Sequence, residues 1–332
     1  MTLIRFFDNR NTGIFANGTW RIVFLALLWW CWAGCSSEEN VTNPELTIEP
    51  GTYEFSMEVD TTTRWFTVVI PTGYDHVEKR PLVVALHPGN ANMKEFYNAL
   101  KGFRDMAEAE NWLMVFPNGR NRTDNRTGDS AWNAVHCCGL PHSQNVDDVG
   151  FIRKVLEKLQ ADYKIDGNRI YAMGRSNGGM LVHRLGVELW DTFAAIAPFS
   201  ATAGGQEDAT APEIVAEPRH PLPILLMHGL HDPNVKYRGG LTSGGIRYDI
   251  SFAESVGIWL EVNACTQAVA DTTLFESDKG QTWIVDYSNC LDGAQVVAIT
   301  VENSGHQLPR VSNSGFDGSN AIFQFFKSHA KN

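Results

Sequence analysis

The sequence is poor in cysteine, with six among 332 residues. None of the six belongs to a C-x-x-C pair: Cys137 and Cys138 are adjacent, and Cys265 and Cys290 are isolated. Cysteine-based zinc sites usually draw their thiolates from such pairs. The sequence therefore predicts no metal site, and no other pattern in it indicates a cofactor.

Basic residues are also in the minority, with 27 Lys and Arg against 38 Asp and Glu and a formal net charge of −11. Without residues 1–35, which carry three basic and one acidic residue, the net charge is −13. Proteins that bind nucleic acid or other anionic polymers carry basic surfaces. The composition therefore argues against a nucleic-acid partner and favours neutral substrates.

The longest apolar run, residues 22–32, is too short to remain in a bilayer as a spanning helix. Three arginines precede it and small residues follow it, which is typical of an export signal. The small residues are Ala-Gly-Cys at 33–35, which resemble the bacterial lipobox, where the cysteine is lipidated and becomes the mature N-terminus. A plain signal peptide with an incidental Cys35 is the alternative.

The chain is accordingly divided into three parts, with no internal repeat. Residues 1–35 are predicted to be a lipoprotein-type signal ending at the lipidated Cys35, and residues 36–50 a polar tether. Residues 51–332 are predicted to form one folded domain. We expect an exported protein at the cell envelope whose membrane contact is the lipid alone.

An oxidising compartment favours pairing of the remaining cysteines. Cys265 ends a predicted helix and Cys290 follows a predicted strand, and we predict a disulfide between them. Cys137 and Cys138 either pair with each other or bond to partners that the sequence does not assign.

Short apolar runs alternate with patterns of helical period through most of the domain, which predicts a mainly parallel sheet with helices on both faces. The predicted strands are residues 64–70, 82–86, 112–116, 193–199, 223–228, 283–285 and 296–301. A helix is predicted through Phe96 and Ala107, and another begins at Asp147 and Asp148, which are read as caps.

Residues 117–146 interrupt this alternation, and a loop of about thirty residues in a compact domain is usually functional. The loop contains Trp132, which we predict to line a substrate cleft. The alternative is that Trp132 packs inward and anchors the loop.

Residues 174–178 read Gly-Arg-Ser-Asn-Gly, after an apolar strand and before a helical pattern. In this strand–turn–helix setting the two glycines relieve crowding at a sharp turn, and the serine hydroxyl is exposed at a helix N-terminus. Ser176 is the predicted nucleophile.

A serine nucleophile needs an imidazole to accept its proton and an acid to orient that imidazole. Asp232 follows the predicted strand 223–228, and His306 follows the strand 296–301. The order Ser176, Asp232, His306 is that of α/β-hydrolases. His228 and His231 are rival bases, but both lie beside the acid on its own loop.

Negative charge in the transition state requires hydrogen-bond donors. The N–H of Asn177 is one predicted donor. The loop after strand 82–86 supplies the other, from Gly89 or Asn90, because Pro88 has no N–H.

Several segments together resemble the family of polyhydroxybutyrate depolymerases and feruloyl esterases, over roughly residues 60–328. They are Leu-His at 86–87, residues 133–151 with Cys-Cys-Gly and Asp-Asp-Val-Gly-Phe, Gly-Arg-Ser-Asn-Gly-Gly-Met at 174–180, His-Gly-Leu-His-Asp-Pro at 228–233, and Gly-His at 305–306. The resemblance implies an exported serine esterase of the α/β-hydrolase fold, with Ser176, Asp232 and His306 as nucleophile, acid and base.

The chain departs from that family at two places. It has His-Pro-Gly at 87–89 where the family usually has His-Gly, which changes the donor loop. It has Gly-His-Gln-Leu-Pro-Arg at 305–310 where the family has Gly-His-x-Trp-Pro-Gly, so an aromatic surface is missing beside the base.

These observations predict a serine carboxylesterase acting on polymer-linked esters, either hydroxyalkanoate polyesters or feruloyl and acetyl groups on plant polysaccharide. The alternatives are an acyltransferase with the same triad and a non-catalytic binding protein built on a hydrolase scaffold.

Overall fold

The computed structural model describes residues 49–122, 126–134, 136–265 and 271–331. The predicted signal, the lipidation site at Cys35 and most of the tether lie outside the described residues. No helix in the described part of the chain combines the length and the apolar character that a membrane span requires.

Within these described ranges, fourteen strands and eight α-helices organise the domain. The strands are β1 Gly51–Val59, β2 Thr62–Ile70, β3 Arg80–Leu86, β4 Leu113–Pro117, β5 Ile165–Arg175, β6 Ala195–Phe199, β7 Gly204–Gln206, β8 Ile214–Val215, β9 Ile224–Gly229, β10 Gly240–Leu241, β11 Tyr248–Asp249, β12 Asp271–Ser277, β13 Gly280–Tyr287 and β14 Val296–Val301. The helices are α1 Met93–Ala99, α2 Lys101–Ala109, α3 Gly139–Ser143, α4 Asp148–Asp162, α5 Asn177–Glu188, α6 Phe252–Val262, α7 Val311–Ser314 and α8 Gly318–Lys327.

The main sheet has ten strands in the order β1-β2-β4-β3-β5-β6-β9-β14-β13-β12. The strands from β4 to β14 in this order are parallel, and antiparallel strands flank them on both sides. The loops that follow the parallel strands therefore emerge at one edge, where α/β proteins place their ligand sites. The predicted mainly parallel sheet is confirmed.

Both faces of the sheet are covered, as predicted. Along β3, Leu82, Val84 and Leu86 join one buried cluster, whereas Val83 and Ala85 join the other. The first cluster includes apolar side chains of α4, α5 and α6, and the second those of α1, α2 and α8. This double burial explains why β3 reads as a continuous apolar run rather than an alternating one.

Some elements differ from the prediction. The helix expected through Phe96 and Ala107 is two helices, because Leu100 leaves helical geometry with φ −95° and ψ 26°. The strand β12 was not predicted, since residues 272–276 are exposed and show no apolar period. A second, four-stranded sheet, β10-β11-β7-β8, was also missed because its strands are two or three residues long.

The two aspartates at the start of α4 have different roles. Asp147 is the predicted cap, and its Oδ1 accepts the N–H of Gly150 at 2.8 Å. Asp148 is not a cap: it is buried and its Oδ1 pairs with Nη2 of Arg64 at 2.7 Å. Its second oxygen accepts the N–H of Asn133 at 2.7 Å. Asp148 thus ties β2 and the long loop to α4.

Both pairs of cysteines in the domain are disulfide-bonded. The predicted bond between Cys265 and Cys290 is confirmed, with Cα atoms 4.5 Å apart. Cys137 and Cys138 are bonded to each other, which selects one of the two possibilities left open by the sequence.

Candidate active site

Ser176 lies in the sharp turn between β5 and α5, with φ 55° and ψ −126°. A non-glycine residue with positive φ is strained, and such strain collects at functional sites. The turn is held by the N–H of Ser176, which donates to the carbonyl of Phe199 at 3.0 Å. Side chains at Gly174 or Gly178 would collide with backbone, at Gly178 and at His87 respectively. These close approaches explain the two glycines of the motif.

Asp232 and His306 are brought together by the loops after β9 and β14. The Nδ1 of His306 lies 2.8 Å from Oδ2 of Asp232, and the Asp232 carboxylate is fully buried. Its other oxygen, Oδ1, accepts the N–H groups of Asn234 at 2.9 Å and Val235 at 3.0 Å. Because Nδ1–H donates to the carboxylate, the Nε2 of His306 is left as the proton acceptor.

The described residues show no hydrogen bond between His306 and the Ser176 hydroxyl. Catalytic hydrogen bonds are often long without substrate and shorten when it binds. His306 keeps 16% of its side chain exposed, so its ring is accessible from outside the fold.

The rival histidines do not have this arrangement. His228 is 1% exposed, and its Nε2 donates to the carbonyl of Val235 at 2.8 Å. Burial also lowers the pKa of His228. His231 is exposed on the loop of Asp232. The Nε2 of His228 also lies 3.5 Å from Oδ2 of Asp232, and its Nδ1 has no partner among the described residues, but the ring is buried, whereas the ring of His306 is partly exposed.

The loop after β3 carries the two N–H groups, of Gly89 and Asn90, that were predicted to face a developing negative charge. Asn90 was one predicted donor, and this is wrong, because its N–H already donates to the carbonyl of Ser130 at 3.0 Å. Gly89 remains, and a Cβ atom on it would lie 3.5 Å from the Cβ of Asn177. The backbones of Gly89 and Asn177, the first residue of α5, therefore lie side by side next to Ser176.

His87 fixes the loop that carries Gly89. Burial lowers the pKa of His87 to about 4, so its ring is neutral near pH 7. Its Nδ1–H donates to the carbonyl of Pro88 at 2.8 Å, and its Nε2 accepts the N–H of Gly119 at 2.8 Å. A neutral ring can perform both roles only in this tautomer.

Trp132 is not a cleft residue. Its side chain is fully buried, and its indole N–H donates to the carbonyl of His87 at 2.9 Å. Its backbone N–H and carbonyl bond to the side-chain amide of Asn177 at 2.7 and 3.0 Å. The structure contradicts the predicted substrate contact and places Trp132 as the anchor that joins the long loop to Asn177 and His87.

Trp132→Phe should therefore lower stability without favouring one ester over another. The change keeps an aromatic ring but leaves the His87 carbonyl without its donor, at a cost of about 1–3 kcal/mol. Thermal unfolding and kcat/KM for a small and a bulky ester check this. A selective loss on the bulky ester at unchanged melting temperature would restore the cleft assignment.

A cavity of about 310 Å³ opens beside the donor loop. Its lining combines five polar or charged residues, Asn90, Arg120, Asn121, Arg122 and Asp129, with five glycine or apolar residues, Gly128, Ala131, Gly139, Leu140 and Pro141. The long loop thus offers a mixed polar and apolar surface next to Asn90 instead of the aromatic one predicted at Trp132.

Sequence reasoning missed a cluster in which His136, Arg247 and Asp249 surround the Cys137–Cys138 disulfide. The Nε2 of His136 lies 2.8 Å from Asp249 Oδ1, and Arg247 binds both carboxylate oxygens at 2.8 and 2.9 Å. His136 and Asp249 are 113 residues apart in the chain, so no local spacing could reveal their contact. Among the described residues no group of His, Cys, Asp and Glu side chains could hold a metal ion.

Comparisons with known proteins agree with the predicted resemblance. No family model matches the chain. Feruloyl esterase B of Piromyces equi is 29% identical over 250 residues, which are 72% of this chain and 42% of that protein. Acetylxylan esterase of Coprinopsis cinerea is 25% identical over 144 residues, covering 43% of this chain and 37% of that protein. The chain thus spans about two fifths of the length of these curated relatives.

Comparison with solved structures identifies the fold. The solved structure of acetyl xylan esterase from Aspergillus awamori has a TM-score of 0.57 at 12% identity, covering 83% of this chain and 99% of that one. The predicted α/β-hydrolase fold is confirmed, as is the resemblance to the feruloyl esterase group.

Proposed function

We propose that this chain is a serine carboxylesterase that uses Ser176, His306 and Asp232 as nucleophile, base and acid. The observation that carries the proposal is that a strained serine and an Asp232-bound His306 both follow parallel strands, β5 and β14, whose carboxyl ends lie at one edge of the sheet. Its similarity to esterases supports the same reaction class.

In the proposed mechanism, Nε2 of His306 removes the Ser176 proton as Oγ attacks the ester carbonyl. Asp232 holds the His306 tautomer and stabilises the imidazolium that forms. The N–H groups of Asn177 and Gly89 receive the oxyanion, and α5 directs its positive end to the same point. His306 then protonates the leaving alcohol, and water activated by His306 hydrolyses the acyl-enzyme.

For the substrate, we propose feruloyl or acetyl esters carried on a polysaccharide. The cavity near Gly89 is lined in part by Arg120, Arg122 and Asp129, whose side chains can hydrogen-bond the hydroxyl groups of a polysaccharide carrier. The net charge of −11 suits a neutral carrier. The names of the two relatives point to the same ester classes. A hydroxyalkanoate polyester is the second candidate.

Two measurements test this function. A fluorophosphonate should label the intact protein at one site, and peptide mapping should place the label on Ser176. A panel of feruloyl, acetyl and hydroxybutyrate esters, with and without an added alcohol, should show hydrolysis in preference to acyl transfer. Absence of labelling together with no turnover would favour the non-catalytic binding protein instead.

We also propose that the protein is exported and held at the envelope by lipid on Cys35. The support is the sequence of residues 22–35, an apolar run that ends in a lipobox-like Ala-Gly-Cys. One lipid signal gives only marginal anchoring, so two or more acyl chains are expected.

Cys35→Ser should move the protein out of the membrane fraction or leave it unprocessed. Cell fractionation and intact mass of the product measure both effects, with Cys31→Ser as the matched control inside the signal. Unchanged membrane association and mass in Cys35→Ser would contradict the proposed lipidation.

A further inference from the structure

The Cys137–Cys138 disulfide lies against the helix that begins beside the nucleophile. The Sγ of Cys137 is 3.8 Å from the side-chain nitrogen of Asn177 and 3.5 Å from Sδ of Met180, both on α5. Asn177 is 3% exposed and Met180 is fully buried. The disulfide therefore forms part of the wall that α5 packs against at its first turn.

Arg247 holds the same disulfide from the other side. Its Nη1 lies 3.3 Å from the sulfur of Cys137 and 3.3 Å from the sulfur of Cys138. The guanidinium is itself fixed by the buried Asp249, which also bonds to the buried His136. The disulfide is thus clamped between a fixed cation and the side chain of Asn177.

A tight turn connects this clamp to Trp132. The N–H of Cys138 donates to the carbonyl of Trp132 at 3.3 Å, and the N–H of Ala134 donates to the carbonyl of Cys137 at 2.7 Å. Asn177 bonds to the backbone of Trp132 at one end of the turn and contacts Cys137 at the other. The side chain of Asn177 is therefore held at both ends of the turn, by Trp132 and by Cys137.

We propose that the Cys137–Cys138 disulfide, held by Arg247, is a positioning element that sets the Asn177 N–H for the oxyanion. This inference rests on the proposed esterase function. The disulfide touches no reacting atom and acts through Asn177 alone. Freeing the two sulfurs loosens the turn, so the Asn177 donor departs from the place that the oxyanion occupies.

Loss of the disulfide is expected to weaken stabilisation of the transition state and to leave binding of the substrate unchanged. A misplaced donor weakens binding of the oxyanion but not of the ground-state ester, so kcat falls and KM stays. Loss of one oxyanion donor costs about 10²–10³-fold in kcat, and a displaced donor costs part of that. We expect kcat to fall about tenfold or more, by the same factor for small and bulky esters.

The test uses the protein without its signal and a dithiol reductant. Dithiothreitol supplies two electrons and two protons, so the disulfide becomes two thiols while the reagent closes to its own cyclic disulfide. Cys137→Ser/Cys138→Ser should show the lowered kcat without reductant. Its affinity for a trifluoromethyl ketone, which forms an oxyanion on Ser176, should fall with kcat, while binding of the product acid should not change.

The second disulfide is the matched control. Cys265→Ser/Cys290→Ser removes a bond that the structure does not link to Asn177, and it should lower the melting temperature while keeping the parental kcat per active site. Dithiothreitol should lower kcat in the parent and in this control, but not in the Cys137→Ser/Cys138→Ser protein. Active-site titration with the fluorophosphonate corrects every rate for folded enzyme.

Three results would overturn the inference while the parent enzyme is active. They are a kcat within twofold of the parent in Cys137→Ser/Cys138→Ser, an equal effect of dithiothreitol on that variant, or a loss that disappears after active-site titration. If that variant does not fold, Arg247→Met must lower kcat at constant KM, since it releases the clamp but keeps the disulfide. A parent that hydrolyses no ester refutes the proposed function instead.

Discussion

Ser176→Ala is expected to remove esterase activity while leaving the fold intact. Loss of the serine nucleophile costs a well-studied serine hydrolase about 10⁶-fold in kcat, and we expect a loss of at least about 10⁴-fold here. Alanine adopts positive φ at much the same cost as serine, so the turn between β5 and α5 should survive. Ester hydrolysis and thermal unfolding of the purified variant measure the two effects.

Ser200→Ala is the matched control for this substitution. Ser200 is also buried and also has positive φ, 47°, but it follows β6 and has no part in the proposed mechanism. It should retain activity within about threefold, because backbone strain and loss of a hydroxyl do not by themselves abolish catalysis. Activity of Ser176→Ala within a few-fold of the parent would refute the nucleophile assignment.

Asp148→Ala should produce the largest loss of stability, about 3–5 kcal/mol in the free energy of unfolding. The substitution leaves the guanidinium of Arg64 buried without its partner, since Arg64 is 2% exposed. It also removes the acceptor for the N–H of Asn133. For a domain of this size each kcal/mol shifts the melting temperature by about 2–4 °C. Urea and thermal unfolding give the values.

The neighbouring aspartate provides the comparison. Asp147→Ala loses only an exposed helix cap and should cost about 1 kcal/mol. Replacing both buried partners, as in Arg64→Met/Asp148→Leu, should recover much of the loss because no unpaired charge remains. Equal destabilisation by Asp147→Ala and Asp148→Ala would show that the buried ion pair contributes no more to the free energy of unfolding than the exposed cap does.

The strained turn that carries the proposed nucleophile could be predicted from sequence because its signal is local. Ser176 lies in a five-residue motif between an apolar strand and a helical pattern, and the geometry of that turn dictates the glycines. Asp232 and His306 could be placed because each follows a buried strand of the parallel sheet, and such strands end at one edge. The hydrogen bond between them follows from the pairing of β9 with β14 in the sheet, which brings the two loops together.

The misassigned residues share a different cause. Trp132, Asn90 and Asp148 were each assigned from their neighbours in the sequence, whereas their roles depend on partners far along the chain. Trp132 is anchored by His87 and Asn177, and the Asn90 N–H is taken by a carbonyl of the long loop. These contacts depend on how distant segments of the chain pack together, and the periodicity of apolar residues in the sequence carries no information about that.

The order of strands in the sheet also governs how the chain acquires its structure. In the parallel centre, β3 pairs with β4 and β5, and β14 pairs with β9 although α6 and the β12–β13 hairpin lie between them in the chain. Such long-range pairings form slowly, because the chain loses the entropy of loop closure before the stabilising contacts are made. The β1–β2 and β12–β13 hairpins are local and can form early. We therefore expect the edge where Asp232 meets His306 to be among the last parts of the molecule to assemble.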